Sequence, residues 1–142
     1  MKSRLFIRIG AILMLLHVVG HSMGVFGKLD PVTAPVLHLM QSVSFPFMGR
    51  SCTLALFFTG YGLIMLLTLL LISILLWLLG GENSRLSSRL LGLLTGFLVI
   101  MAVLEYIYFF LLPAILSFLA AVLTGIGLYL RPPIPTSGSA RG

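Results

Sequence analysis

Charged residues are scarce in this sequence. Of its 142 residues, 8% are charged and 59% are apolar, whereas about 25% of the residues of a soluble globular protein are charged. Cys52 is the only cysteine, so the chain cannot form an internal disulfide. It also has no cysteine or histidine at the spacing of a zinc site. Four signatures of soluble enzymes are also missing: a Gly-rich phosphate loop, a Gly-x-Ser-x-Gly elbow, a His-Glu-x-x-His motif and paired carboxylates. We therefore predict no metal and no cofactor, and an enzyme of soluble type is disfavoured.

The apolar residues are grouped in long runs. Residues 51–81 carry no charge, and residues 90–130 carry only Glu105. A membrane-spanning helix needs about 20 apolar residues, and the backbone groups of a span must be hydrogen-bonded within a helix or a closed barrel. Because these runs do not alternate apolar and polar residues as barrel strands do, they predict transmembrane helices.

The sequence predicts an all-α fold, a four-helix transmembrane bundle that forms a single domain over residues 1–130. The run at 90–130 exceeds one span of about 17 to 25 residues, so it folds into a helical hairpin with its bend at Pro113. An outer loop at 28–50 contains three prolines, with room for a short interfacial helix between them. The tail has few apolar residues and is predicted to be disordered. The predicted helices and tail cover residues 9–26, 53–79, 87–110, 113–130 and 131–142.

The first predicted helix has an alternative interpretation. A basic start followed by an apolar stretch is also typical of a secretory signal peptide. His17 and His21 interrupt the apolar stretch, and no small-x-small cleavage site precedes Lys28. These features favour a helix that is retained in the mature protein.

Basic residues are distributed unevenly among the segments between the helices. The net charge is +6 and the pI is about 10.3, but no basic stripe with interleaved aromatics is present, so we predict no nucleic-acid partner. The excess of lysine and arginine faces the cytoplasm. Both termini are therefore predicted to be cytoplasmic, with the first loop and the Pro113 bend outside. The inner segments hold Lys2, Arg4, Arg8, Arg85, Arg89, Arg131 and Arg141, and the first loop holds Lys28 and Arg50.

Glycine pairs spaced four residues apart occur on two of the predicted helices. Gly20 and Gly24 lie on the first, and Gly92 and Gly96 on the third. Small residues at this spacing let membrane helices approach closely. We interpret both pairs as packing faces within the chain, with homodimerisation as the alternative.

His17, His21 and Glu105 are ionisable residues at membrane depth in the predicted spans. With a rise of about 1.5 Å per residue, His21 lies roughly 20 Å beyond Arg8, and Glu105 roughly 24 Å beyond Arg89. Both are thus placed in the outer half of the bilayer. We expect Glu105 to point into the bundle, its carboxyl within reach of His21, a tyrosine or the first loop. The candidate ligand-binding residues are His17, His21, Glu105, Tyr108, His38, Gln41 and Arg50, with Tyr106 beside them.

His17 and His21 lie four residues apart and share one helix face, which raises the possibility of a metal or haem site. The helices predicted at 53–79 and 113–130 contain no histidine that could supply a second axial ligand. Two interhelical hydrogen bonds are the favoured interpretation.

Four short motifs are spread along the chain. They are Leu15-Leu16-His17-x-x-Gly20-His21, Met40-Gln41-x-Val43-x-Phe45-x-Phe47-Met48-Gly49, Phe58-x-Gly60-x-Gly62-Leu63 and Tyr108-Phe109-Phe110-x-x-Pro113. In this order and spacing they resemble a family of uncharacterised bacterial four-helix membrane proteins, loosely similar in architecture to DoxX-like proteins. The resemblance covers nearly all of the membrane portion and implies a bacterial cytoplasmic membrane, but no established activity. In the family pattern helix two opens with an aromatic and acidic stretch, whereas residues 53–57 here contain no carboxylate.

Three functions stay open from the sequence. The favoured one is a non-enzymatic membrane protein that binds a small apolar ligand, such as a lipid or quinone, or a partner helix at the polar cluster. The alternatives are a subunit of a membrane redox complex and a small transporter. The expected partners are membrane lipid, a small apolar ligand and a partner membrane protein.

Overall fold

The computed structural model describes residues 2–27 and 31–133. Lys28 and most of the tail predicted at 131–142, including Arg141, lie outside the described residues. Within these residues, four helices are long and apolar enough to cross a membrane. The all-α fold class is confirmed. The elements are α1 (Lys2–Phe26), α2 (Ala34–Ser42), β1 (Ser44–Phe47), β2 (Arg50–Thr53), α3 (Leu54–Gly81), α4 (Arg85–Tyr108) and α5 (Leu111–Tyr129).

The helices begin and end somewhat differently from the prediction. Helix α1 starts at Lys2 rather than Ile9, because lysine and arginine are good helix formers and their long side chains can reach past the apolar surface. Helix α4 starts at Arg85, where Ser84 and Ser87 form a reciprocal capping box. The short Ser-x-x-Ser signal marks this start, two residues before the prediction.

The last connection is a two-residue bend. Helix α4 ends at Tyr108 and α5 begins at Leu111, so Phe109 and Phe110 join them. Pro113 falls in the first turn of α5, where a proline costs no helical hydrogen bond. The predicted hairpin is therefore present, with its bend just before Pro113.

The chain divides into two compact units. The helical unit comprises residues 2–17 and 70–133. Four helical segments pack in it around a core of fully buried apolar side chains. Polar side chains tie its helices to one another: the Ser73 hydroxyl donates to the Ala11 carbonyl (2.9 Å), and the Thr95 hydroxyl donates to that of Thr124 (3.1 Å). The largest core side chains are Ile7, Met14, Leu76, Leu91 and Leu98.

The start of α1, the end of α3, the start of α4 and the end of α5 meet at one end of the helical unit. The Ser3 hydroxyl donates to the Gly127 carbonyl (2.6 Å), and Arg4 donates to the Gly81 carbonyl (3.1 Å). Arg131, just after α5, donates to the Ser87 hydroxyl in the first turn of α4 (2.9 Å). We call this region the basic end.

The loop unit comprises residues 18–27 and 31–69. It contains a β-hairpin that the sequence analysis described only as loop. Its two-residue turn, Met48 (φ 48°) and Gly49 (φ 80°), has the positive φ angles of a hairpin turn. Phe45 and Phe47, on one face of β1, pack on Phe57 with ring centroids 6.0 and 5.4 Å away. This aromatic contact anchors strands of only four residues each.

Candidate functional site

Three polar side chains from three helices meet inside the helical unit. The His17 Nε2 lies 3.5 Å from the Glu105 Oε1, and the His17 Nδ1 lies 3.4 Å from the Ser117 hydroxyl. Their exposed fractions are 5%, 6% and 0%. We call these residues, one each from α1, α4 and α5, the buried polar cluster. Ionisable groups this deep in a membrane protein are costly and mark functional sites by default.

Close packing of α5 brings the three helices together. The side of α5 that faces its neighbours carries small residues, including Ala114, Ala120 and Ala121, which are buried. Gly10 of α1 lies against Thr124, so a Cβ at Gly10 would come within 3.0 Å of the threonine methyl. Small residues at helix interfaces allow such approaches in membranes. The interhelical hydroxyl and imidazole contacts therefore form across short distances.

Glu105 points into the bundle, as expected, but the predicted partner was wrong. The carboxyl contacts His17 rather than His21. The prediction counted depth from Arg8 and Arg89 as if they lay at the same level. In the structure Ser3 contacts Gly127, and a Cβ at Gly92 would meet the neighbouring Leu128, so Ser3 and Gly92 share a level. His17 then lies roughly 21 Å and Glu105 roughly 20 Å above that level, using 1.5 Å per residue.

His21 has a different role. Its Nε2 lies 3.0 Å from the Gly62 carbonyl of α3, within the loop unit. A Cβ at Gly62 would come within 3.0 Å of Val25, so the two helices approach closely there. His21 thus ties α1 to α3, which agrees with the interhelical hydrogen bond favoured from the sequence.

The other predicted ligand residues are exposed. Tyr108 and Tyr106 are 74% and 70% exposed, so neither joins the buried polar cluster. Both lie on the side of α4 away from the bundle, which the prediction from depth alone did not consider. His38 and Gln41 on α2, and Arg50 on β2, are exposed side chains of the loop unit.

The predicted glycine faces are not the close contacts of this chain. Among the described residues nothing lies within 4 Å of a Cβ built on Gly20, Gly24 or Gly96, and at Gly92 the nearest atom is at an ordinary 3.6 Å. The spacing alone does not say which side of a helix faces a neighbour. The tight approaches occur instead at glycines outside those pairs: Gly10, Gly62, Gly80 and Gly127.

Ser117 was missed by the sequence analysis. Its signal was present, because it is a lone hydroxyl in the apolar run that opens α5, and such residues act as hydrogen-bonding contacts between membrane helices. Ser73 on α3 has the same signal and bonds to α1. An isolated serine within a span is thus worth counting with the ionisable residues.

The chemistry of the cluster follows from its donors and acceptors. The carboxyl and imidazole can hold a proton between them, on either group. The Glu105 Oε2 is buried and has no hydrogen-bond partner within residues 2–27 and 31–133. Hydroxyl, imidazole and carboxyl stand in the order of a hydrolytic triad, but Ser117 is completely buried and offers no approach to a substrate carbonyl. The geometry therefore supports binding or proton exchange rather than nucleophilic attack.

Metal binding has little support in the described part of the chain. It contains no group of three or more His, Cys, Asp or Glu side chains that could hold an ion. Both nitrogens of His17 already face polar partners, so a metal at either one would displace Glu105 or Ser117.

The fold and cluster define a multi-pass helical membrane protein with a buried carboxyl–imidazole pair. Comparison with protein-family models, curated proteins and solved structures finds no match for this chain. The DoxX-like resemblance stays a prediction.

Proposed function

We propose that this protein binds a small apolar membrane ligand, such as a quinone or a lipid, through the buried polar cluster. One observation carries the proposal: the Glu105 Oε2 is buried and lacks a hydrogen-bond partner among the described residues. An unmet buried carboxyl oxygen is unfavourable, and a ligand oxygen or hydroxyl that pairs with it removes that cost.

The ligand class follows from the surroundings of the carboxyl. A carboxyl group accepts hydrogen bonds when ionised and can donate one when protonated, so it suits a ligand with one hydroxyl or carbonyl group. Leu104 and Ile107, at other positions around α4, are 48% and 61% exposed. The hydrophobic part of such a ligand would stay in the apolar surroundings of the helices while its polar group pairs with the Glu105 carboxyl.

The test is to identify small molecules that stay with the protein. The protein is extracted into lipid nanodiscs, and bound molecules are analysed by chromatography and mass spectrometry. We expect one quinone or lipid species to be enriched over empty nanodiscs. Its occupancy should fall at least about fivefold in Glu105→Leu, because this substitution removes a hydrogen bond to a charged group, which contributes about 1.5 to 3 kcal/mol.

Two serine variants provide a matched comparison. Ser117→Ala removes a buried hydroxyl of the cluster, and Ser73→Ala removes a buried hydroxyl that bonds elsewhere on α1. Only the first should reduce the bound ligand. Equal occupancy in wild type and Glu105→Leu, or equal losses in both serine variants, would contradict the proposal.

The proposed location is the bacterial cytoplasmic membrane, with the basic end in the cytoplasm. The distribution of basic residues supports this orientation, because the first turns of α1, the first turns of α4 and Arg131 just after α5 hold six of the nine lysines and arginines. Single cysteines at Asn83 and Ser42, both exposed, test it in a Cys52→Ser background. An impermeant maleimide should label Ser42→Cys in intact cells and Asn83→Cys only after lysis. The reverse pattern would overturn the orientation.

A further inference from the structure

The basic end of the helical unit contains a cavity of about 140 Å³. Arg4 at the start of α1 and Arg131 just after α5 line it, with Gly80, Gly81, Glu82 and Asn83 from the end of α3 and the loop that follows. Gly81 has no side chain to fill the space. The cavity lies where α1 begins, α3 ends and the chain leaves α5, away from the buried polar cluster.

Hydrogen bonds hold the two guanidinium groups in place. Arg131 donates to the Ser88 hydroxyl (2.8 Å) and the Leu79 carbonyl (2.7 Å), as well as to Ser87. Arg4 donates to the Gly81 carbonyl. A guanidinium carries five N–H donors, and these bonds use three on Arg131 and one on Arg4. Donors thus remain on both groups.

Positive charge exceeds negative charge at this cavity. Its lining contains two arginines and one acidic residue, Glu82. Arg131 is half-buried, and this burial lowers the pKa of its guanidinium from the ordinary value because the charged form loses solvation. An anion in the cavity would compensate for that lost solvation.

We propose that this cavity binds the phosphate group of an anionic membrane phospholipid. Basic pockets between transmembrane helices at the head-group level bind such phosphates, and arginine donates to them with matching geometry. A cavity of about 140 Å³ has room for a phosphate group. Because the helix surfaces lead directly from it into the bilayer, a lipid can place its phosphate here while its chains stay in the membrane. The site is independent of the ligand proposed for Glu105 and of which side of the membrane it faces.

The experiment is a lipid titration of the full-length purified protein, followed by native mass spectrometry. Phosphatidylglycerol is compared with phosphatidylcholine of the same acyl chains. Three single-charge variants are compared with wild type: Arg4→Gln, Glu82→Gln and Arg85→Gln. Arg85 is an exposed arginine at the same end that does not line the cavity, so it serves as the matched control. Circular dichroism confirms that each variant keeps its helix content.

Removing a positive charge and removing a negative charge from the cavity should change the Kd for phosphatidylglycerol in opposite directions. We expect Arg4→Gln to raise the Kd for phosphatidylglycerol about fivefold, Glu82→Gln to lower it, and Arg85→Gln to change it less than twofold. Phosphatidylcholine should bind more weakly and respond little. An equal loss in Arg85→Gln would mean diffuse surface attraction and would overturn the site. Displacement of the lipid by inorganic phosphate at equal affinity would overturn the lipid as the source of the phosphate.

Discussion

The contact between His17 and Glu105 can be measured by a double-mutant cycle. The cycle comprises His17→Ala, Glu105→Ala and the double variant, with Glu105→Gln as a conservative replacement. If the two side chains interact in the folded protein, the second substitution should cost less once the first has been made. Their separation of 3.5 Å at 5% and 6% exposure predicts a real but moderate coupling.

The magnitude follows from distance and surroundings. Removing one partner of a buried ion pair costs about 3 to 5 kcal/mol in soluble proteins, but polar contacts between membrane helices average about 0.6 kcal/mol and reach about 1.7. At 3.5 Å the contact is longer than the 2.7 to 2.9 Å of a strong charge-assisted hydrogen bond. We therefore expect a coupling free energy of about 1 kcal/mol. Glu105→Ala should lower the free energy of unfolding by about 2 kcal/mol, because the imidazole of His17 loses one of its polar contacts, and Glu105→Gln should lower it by less than 1 kcal/mol.

Reversible unfolding in lipid bicelles, measured by steric trapping, gives the free energies of unfolding. Ser3→Ala combined with Glu105→Ala provides the control, because Ser3 lies roughly 20 Å away at the basic end and the two effects should add. A coupling below about 0.3 kcal/mol for His17 and Glu105, no larger than that of the control pair, would refute the interaction.

Two further predictions concern packing and haem. Gly127→Ala should lower the free energy of unfolding by about 1 to 3 kcal/mol, because the added Cβ would collide with Ile7. Gly96→Ala, which has open space around it among the described residues, should leave the free energy of unfolding unchanged. Equal effects of the two substitutions in the same bicelle assay would contradict the packing. The purified protein should show no stoichiometric Soret band, since both His17 nitrogens face polar partners; a band lost in His17→Ala would reverse this.

The membrane helices could be predicted from the sequence because hydrophobic length alone determines a span. The single helix over the uncharged run at 51–81 and the two helices within residues 90–130 both follow from hydrophobic length. The first residue of each helix could not be predicted as well. Lysine and arginine are compatible with a helix on either side of the membrane boundary, so the basic residues did not mark where α1 begins.

The partner of Glu105 could not be predicted from depth, because depth requires the relative shift of neighbouring helices along their axes. That shift is determined by individual contacts such as Ser3 with Gly127, which involve residues distant in sequence. The β-hairpin was missed for a related reason. Its strands have four residues each, and they are stabilised by Phe57 in the following helix rather than by a strand pattern of their own.

The two-residue connection between α4 and α5 makes Glu105 and Ser117 enter the membrane as one hairpin during biosynthesis. Ser117 follows His17 by 100 residues, which corresponds to about 5 to 20 s of translation. During that interval the imidazole is in the translocon or the bilayer without either of its later partners. Glu105 and Ser117 then arrive together, because Phe109 and Phe110 are too short a connection for α4 and α5 to insert far apart. A chain that stops before this hairpin has neither Glu105 nor Ser117 to contact the His17 imidazole.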